Sequence, residues 1–142
     1  MMFLVTAFAT LILCQLVKFV NESVRARRVK WGRLFNGTGG MPSSHTAFSV
    51  SVTAMVGLKD GVTTPLFAVA AVFTAIVMYD SIGLRRESGK QAAAINQLVD
   101  EVFETRVGLL RLKEELGHRP LEVFIGLVIG VAMALIFGYV IY

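Results

Sequence analysis

This sequence predicts an all-α fold: an integral membrane bundle of four transmembrane helices, with one amphipathic helix between the third and the fourth. Two observations carry the prediction. The 142 residues are 55% hydrophobic with a mean hydropathy of +0.67, too apolar for an ordinary soluble domain. The apolar residues also fall in long runs separated by charged segments, the pattern of spans and loops. The length suits one membrane-embedded domain, residues 1–142.

The first run covers residues 1–20 and is interrupted only by Lys18 near its end. It has no basic leader and no small-residue cleavage site before Lys18, so it reads as a retained helix. Cys14 lies within it and, as the single cysteine, has no internal disulfide partner. The second run, residues 43–58, is short for a span. It carries Ser49, Ser51 and Thr53, which place it inside the bundle, away from lipid. Lys59-Asp60-Gly61 is a tight turn. The third run, residues 65–83, opens on Pro65, a residue suited to a first helical turn. Residues 88–116 are too polar to span. Ile95, Leu98, Val99, Val102, Phe103, Leu109 and Leu110 recur there at helical spacing among charges, so the segment reads as an amphipathic helix at the interface or capping the bundle. A lid or a contact between copies of a homo-oligomer is the sharper alternative. The fourth run covers residues 121–142.

The charges give an orientation. Lys18, Arg25, Arg27, Arg28, Lys30 and Arg33 close or follow the first span. Arg85, Arg86, Lys90, Arg106, Arg111, Lys113 and Arg119 lie between the third and fourth. With alternating spans these loops share a side, which therefore holds 13 of the 14 basic residues; only Lys59 is opposite. The positive-inside rule puts that side in the cytoplasm and both termini outside, in a cell membrane of bacterial type. Juxtamembrane bases of this kind need no partner beyond anionic lipid, so membrane lipids are the expected partners and nucleic acid is not.

Four spans so arranged bring the end of span one, the start of span two, the end of span three and the start of span four to the cytoplasmic face. Each carries chemistry. Span two begins with Gly39-Gly40-Met41-Pro42-Ser43-Ser44-His45, small residues and a proline suited to a helix start, then hydroxyls and backbone N–H groups that favour an oxyanion or phosphate. Span three ends with Asp80-Ser81-Ile82-Gly83-Leu84-Arg85-Arg86, and Asp80 is placed to pair with Lys18 or Arg85 or to orient the site. Span four begins with His118 and Glu122, four apart and so on one face of a helix. A carboxylate on one ring nitrogen fixes the tautomer and raises the basicity of the other, which suits a nucleophile or base. Arg and Lys suit a phosphate. Two histidines 73 positions apart do not make a zinc site, so no metal and no cofactor is expected.

Three motifs in order resemble the divergent PAP2 family, the small membrane relatives of type 2 phosphatidic acid phosphatases and vanadium-dependent haloperoxidases. They are Gly-Gly-Met-Pro-Ser-Ser-His, Tyr-Asp-Ser-Ile-Gly-Leu-Arg-Arg-Glu-Ser-Gly-Lys-Gln-Ala and Leu-Gly-His-Arg-Pro-Leu-Glu-Val. The wider superfamily has K-x6-R-P, then P-S-G-H, then S-R-x5-H-x3-D. The resemblance implies metal-free attack on a phosphate by a histidine, giving a phosphohistidine. It makes His118 the nucleophile, with Glu122 in the aspartate's place, and His45 the acid. It makes Lys18, Arg25, Arg28, Ser43, Ser44, Arg85 and Arg86 phosphate ligands, with Asp80 in support. Ala26 stands where the pattern has proline, Arg27 or Arg28 matches as well as Arg25, and Ser44 replaces glycine. Gln91 lies where the third motif would put its histidine, so residues between Arg86 and His118 read as an insertion. The implied function is a membrane phosphatase acting on a lipid-borne phosphate ester, phospholipid or polyprenyl phosphate. A catalytically inactive relative that binds a phosphorylated lipid or a protein partner is the alternative.

Overall fold

The computed structural model describes residues 1–29, 40–102, 111, 112, 114 and 117–140, with the side chain of Arg85 left out. Five helices follow one another: α1 (Met2–Ala26), α2 (Ser44–Lys59), α3 (Pro65–Ile82), α4 (Leu84–Val102) and α5 (Pro120–Tyr139). There is no strand among the described residues. Three helical runs are long and apolar enough to cross a membrane: α1, the run that begins with α3, and α5. At 16 residues α2 falls short of that length; it measures only ~24 Å against a hydrocarbon core of ~30 Å.

The helix ends have local causes. No glycine or proline stops α1 at residue 20, so it runs on through polar turns to Ala26. There Arg27 takes a left-handed φ of 49° and the Arg28 N–H bonds back to the Ser23 carbonyl. Ser43 is the N-cap of α2, its hydroxyl accepting from the Thr46 N–H at 3.5 Å, so Pro42 precedes the helix and is not in its first turn. Thr64 caps α3 in the same way, accepting from Phe67 N, with Pro65 in the first turn as expected. Gly61, with φ +99°, makes the expected turn between α2 and α3.

Two expectations need correction. The amphipathic helix starts at Leu84, not 88, because only Gly83 (φ −89°, ψ −89°) interrupts the helical run after α3. Nor does it reach 116. Residues 111, 112 and 114 are not helical, and Asn96 in α4 hydrogen-bonds both the N–H and the carbonyl of Leu112. Residues 103–110, part of the expected helix, and residues 141 and 142, the expected end of span four, lie outside the described set.

α2 is the hub, packed against α1, α3 and most extensively α5. It runs antiparallel to α1 and α3 and parallel to α5. The polarity is inside out. Thr6, Thr10, Ser43, Thr46, Ser49, Ser51 and Thr74 are buried, while Leu4, Phe8, Ile12, Leu66, Phe73, Ile76, Phe124 and Val128 face outward. Outward apolar faces on this scale are a lipid-facing surface. The buried hydroxyls bond largely to backbone, as Thr10 does to the Thr6 carbonyl, or across helices, as Thr53 does to the Ala70 carbonyl and Thr74. The α2–α5 seam is built from absent side chains. Gly126, Gly130, Ala134 and Gly138 repeat every four residues on α5 and are all buried. A Cβ on Gly126 would sit 2.6 Å from the Ser43 carbonyl oxygen, and one on Gly130 2.7 Å from that of Ala47. Backbones this close give the dispersion contact that holds membrane helices together.

Candidate functional site

Four hydrogen bonds join α1, two turns before its end, to the adjoining ends of α2, α3 and α5. Lys18, seven residues before the Arg25 turn of α1, reaches across to α2 and its Nζ donates to Ser44 Oγ at 3.1 Å. The Ser43 N–H, one residue away, donates to the Glu122 carbonyl of α5 at 3.0 Å. Glu122 Oε2 lies 2.9 Å from His118 Nδ1. The His118 N–H donates to the Ser81 carbonyl at 3.0 Å, serving one of the last carbonyls of α3, which have no partner within their own helix. Lys18 is 2% exposed, Ser44 3% and His118 6%, so a lysine, a hydroxyl and a carboxylate-bound histidine share a desolvated region.

His118 is not on the helix that carries Glu122. Arg119 is the N-cap of α5 and His118 precedes it, after Gly117 at φ +85°. Glu122, third residue of α5, turns back so that its Oε2 serves both His118 Nδ1 and the Arg119 N–H, the latter at 3.2 Å. One carboxylate thus caps the helix and holds the ring, so the pairing expected from the spacing is present but rests on a cap. With Nδ1–H donating to a carboxylate, the lone pair of the ring is left on Nε2.

The other expected site residues lie at four places. Ser43 and Ser44 are buried at the start of α2. The Ser43 hydroxyl is shared with Thr46 Oγ1 at 2.9 Å, and that of Ser44 accepts from Lys18. His45 follows them on the same first turn and is exposed. Asp80 is half-buried in the last turn of α3, beside Ser81. Arg25, Arg27 and Arg28 are exposed at the end of α1, with Arg25 two turns, ~10 Å, along the axis from Lys18. Arg86 is exposed in the first turn of α4, and the side chain of Arg85 lies outside the described set. The cluster therefore brings Lys18, Ser43, Ser44, His118 and Glu122 together. Ser81 was not singled out; its part is played by its backbone carbonyl, which leaves no signal in a side-chain pattern.

The comparisons with known proteins follow the same line. The family model described as the Divergent PAP2 family matches residues 1–133, nearly the whole chain. The chain belongs to the divergent PAP2 family. It is also similar to the uncharacterized membrane protein YuiD of Bacillus subtilis, 37% identical over 149 residues that cover 96% of this chain and 93% of that protein. No solved structure matches. The three motifs that carried the resemblance meet in the structure. The Ser43–Glu122 backbone bond joins the first of them to the third, and the His118–Ser81 bond joins the third to the second.

Proposed function

We propose that this divergent PAP2 protein is a single-domain membrane phosphatase that removes phosphate from a lipid-borne ester, phospholipid or polyprenyl phosphate, by way of a phosphohistidine on His118. The observation that carries the reading is the buried His118–Glu122 pair, tied through the start of α2 to Lys18. In this reading Nε2 of His118 attacks phosphorus as the ester P–O bond breaks, and His45 gives its proton to the departing lipid oxygen. Water then attacks phosphorus, its proton passing to His45, and the P–N bond breaks to release inorganic phosphate. Glu122 stabilises the charge that develops on the imidazole. Lys18, whose Nζ donates to Ser44 beside the pair, holds the phosphoryl oxygens with Arg25, Arg28, Arg85 and Arg86. No cofactor takes part.

The same reading makes α2 a fourth crossing helix, shielded from lipid by α1, α3 and α5, with both termini outside and the site on the cytoplasmic face of a bacterial cell membrane. Tyr79 and Tyr139, 77% and 73% exposed, stand near opposite ends of the bundle, where aromatic belts mark the two interfaces. Ser81 and His118 lie at the Tyr79 end, which this reading sets at the depth of a lipid headgroup.

One observation favours a second reading, a non-catalytic protein that binds a phosphorylated lipid or a protein partner. Lys18 is already engaged at 3.1 Å by the hydroxyl of Ser44, the residue that stands where the superfamily pattern has glycine. The test is phosphate release by the purified protein from phosphatidic acid, phosphatidylglycerol phosphate and undecaprenyl phosphates. His118→Ala and His45→Ala are expected to abolish or sharply reduce release. No release from any of the three, or release untouched by both substitutions, would overturn the phosphatase reading in favour of the second.

A further inference from the structure

α4 projects from the end of α3 and takes no part in the α1, α2 and α5 packing. Its buried positions are Gly89, Ala92 and Asn96, one stripe along the helix. Asn96, 7% exposed, spends its side chain on the chain segment that returns towards His118. Its Oδ1 accepts from the Leu112 N–H at 3.0 Å, and its Nδ2 donates to the Leu112 carbonyl at 2.9 Å and to Glu114 Oε1 at 2.8 Å. Both donors of the amide are thereby used. One turn further, Asp100 takes Arg111 at 2.8 and 2.7 Å, but both side chains are more than half exposed and such a pair is weak in water. Asn96 is the main anchor.

The return is therefore held at two points, Leu112 on Asn96 and His118 on the Ser81 carbonyl. Six residues of chain reach at most ~21 Å. So short a tether confines His118 to within that reach of Leu112, and the anchor at Asn96 limits where the chain delivers the imidazole.

We propose that Asn96 is a positioning residue for His118. It fixes the incoming backbone and so keeps the imidazole on Glu122, without touching substrate. The proposal builds on the phosphatase reading only in assigning His118 a reaction to perform.

Asn96→Leu, close in volume and without the amide, tests it, with Asn96→Asp as the shape-preserving variant and the exposed Gln97→Leu as control. Amide exchange and the Nδ1–H proton resonance of His118 are read in detergent without substrate. Both Asn96 variants are expected to speed exchange at the Leu112 and His118 amides about tenfold, the scale of one or two lost buried hydrogen bonds, and to broaden or shift the ring resonance. Exchange in α2 and α5 and the Gln97→Leu spectrum stay unchanged. Where the wild type releases phosphate, kcat falls and KM holds. An unaltered His118 amide and ring resonance, with only residues 111–114 loosened, would overturn the proposal whatever the wild-type activity. Inactive wild type with the expected spectral change would overturn the phosphatase reading and leave the positioning role standing.

Discussion

At the scale of single residues the site depends on Glu122 doing two things at once. Glutamine serves the third position of a helix cap as well as glutamate does, so Glu122→Gln keeps the bond from the Arg119 N–H and changes thermal stability by less than ~0.5 kcal/mol. It loses the charge that stabilises the imidazole as Nε2 bonds to phosphorus, and phosphate release falls at least ~100-fold. Measuring melting and turnover on the same preparation separates the two roles. Ser44→Gly removes the hydroxyl that accepts from Lys18 and leaves that donor for phosphate. KM falls by roughly threefold to tenfold with kcat little changed, which fits the loss of one competing bond to a charged group. The His118–Glu122 pair was legible from their spacing. The cap beneath it was not, because a gap of four also fits two neighbours on one helix face. Ser44 as a partner for Lys18 was not foreseen either: it joins residues 26 positions apart, and only the packing of α1 on α2 brings them together.

At the scale of elements the α2–α5 seam decides where the site sits. Gly126→Ala drives a methyl to 2.6 Å from the Ser43 carbonyl oxygen, and Gly130→Ala to 2.7 Å from that of Ala47; neither backbone can yield without moving α2. Each costs about 1–3 kcal/mol and lowers the melting midpoint in detergent by several degrees. Gly126→Ala also disturbs Ser43 and Ser44. At Gly138 the new methyl meets the end of the Leu58 side chain at 3.1 Å, which turns aside, and the midpoint moves little. An equal loss at all three positions would mean the seam is not the close contact described. The four-residue repeat of Gly126, Gly130, Ala134 and Gly138 is plain in the sequence and was the signal available for this packing. The burial of α2 was legible from its hydroxyls, which have no place against lipid. The return of residues 111, 112 and 114 onto α4 was not, because Leu109 and Leu110 continue a helical period that hydropathy alone does not end.

At the scale of the whole molecule, hydropathy and the placing of the basic residues carry the proposed topology, and helix order brings the three motifs to one end. In a Cys14→Ser background, a cysteine at Asp60 is expected to react with an impermeant maleimide on intact cells, and one at Arg86 only after permeabilisation. The reverse pattern would invert the bundle and turn the site outward. The central claim is that His118 carries the phosphoryl group. It is tested most directly by incubating the protein with phosphatidic acid, phosphatidylglycerol phosphate or undecaprenyl phosphate labelled with radioactive phosphorus, quenching in alkali and mapping the label. The account predicts an acid-labile, alkali-stable label on the peptide containing His118 with at least one substrate, lost in His118→Ala. Phosphate release with the label on another residue, or no label on any peptide, would contradict it.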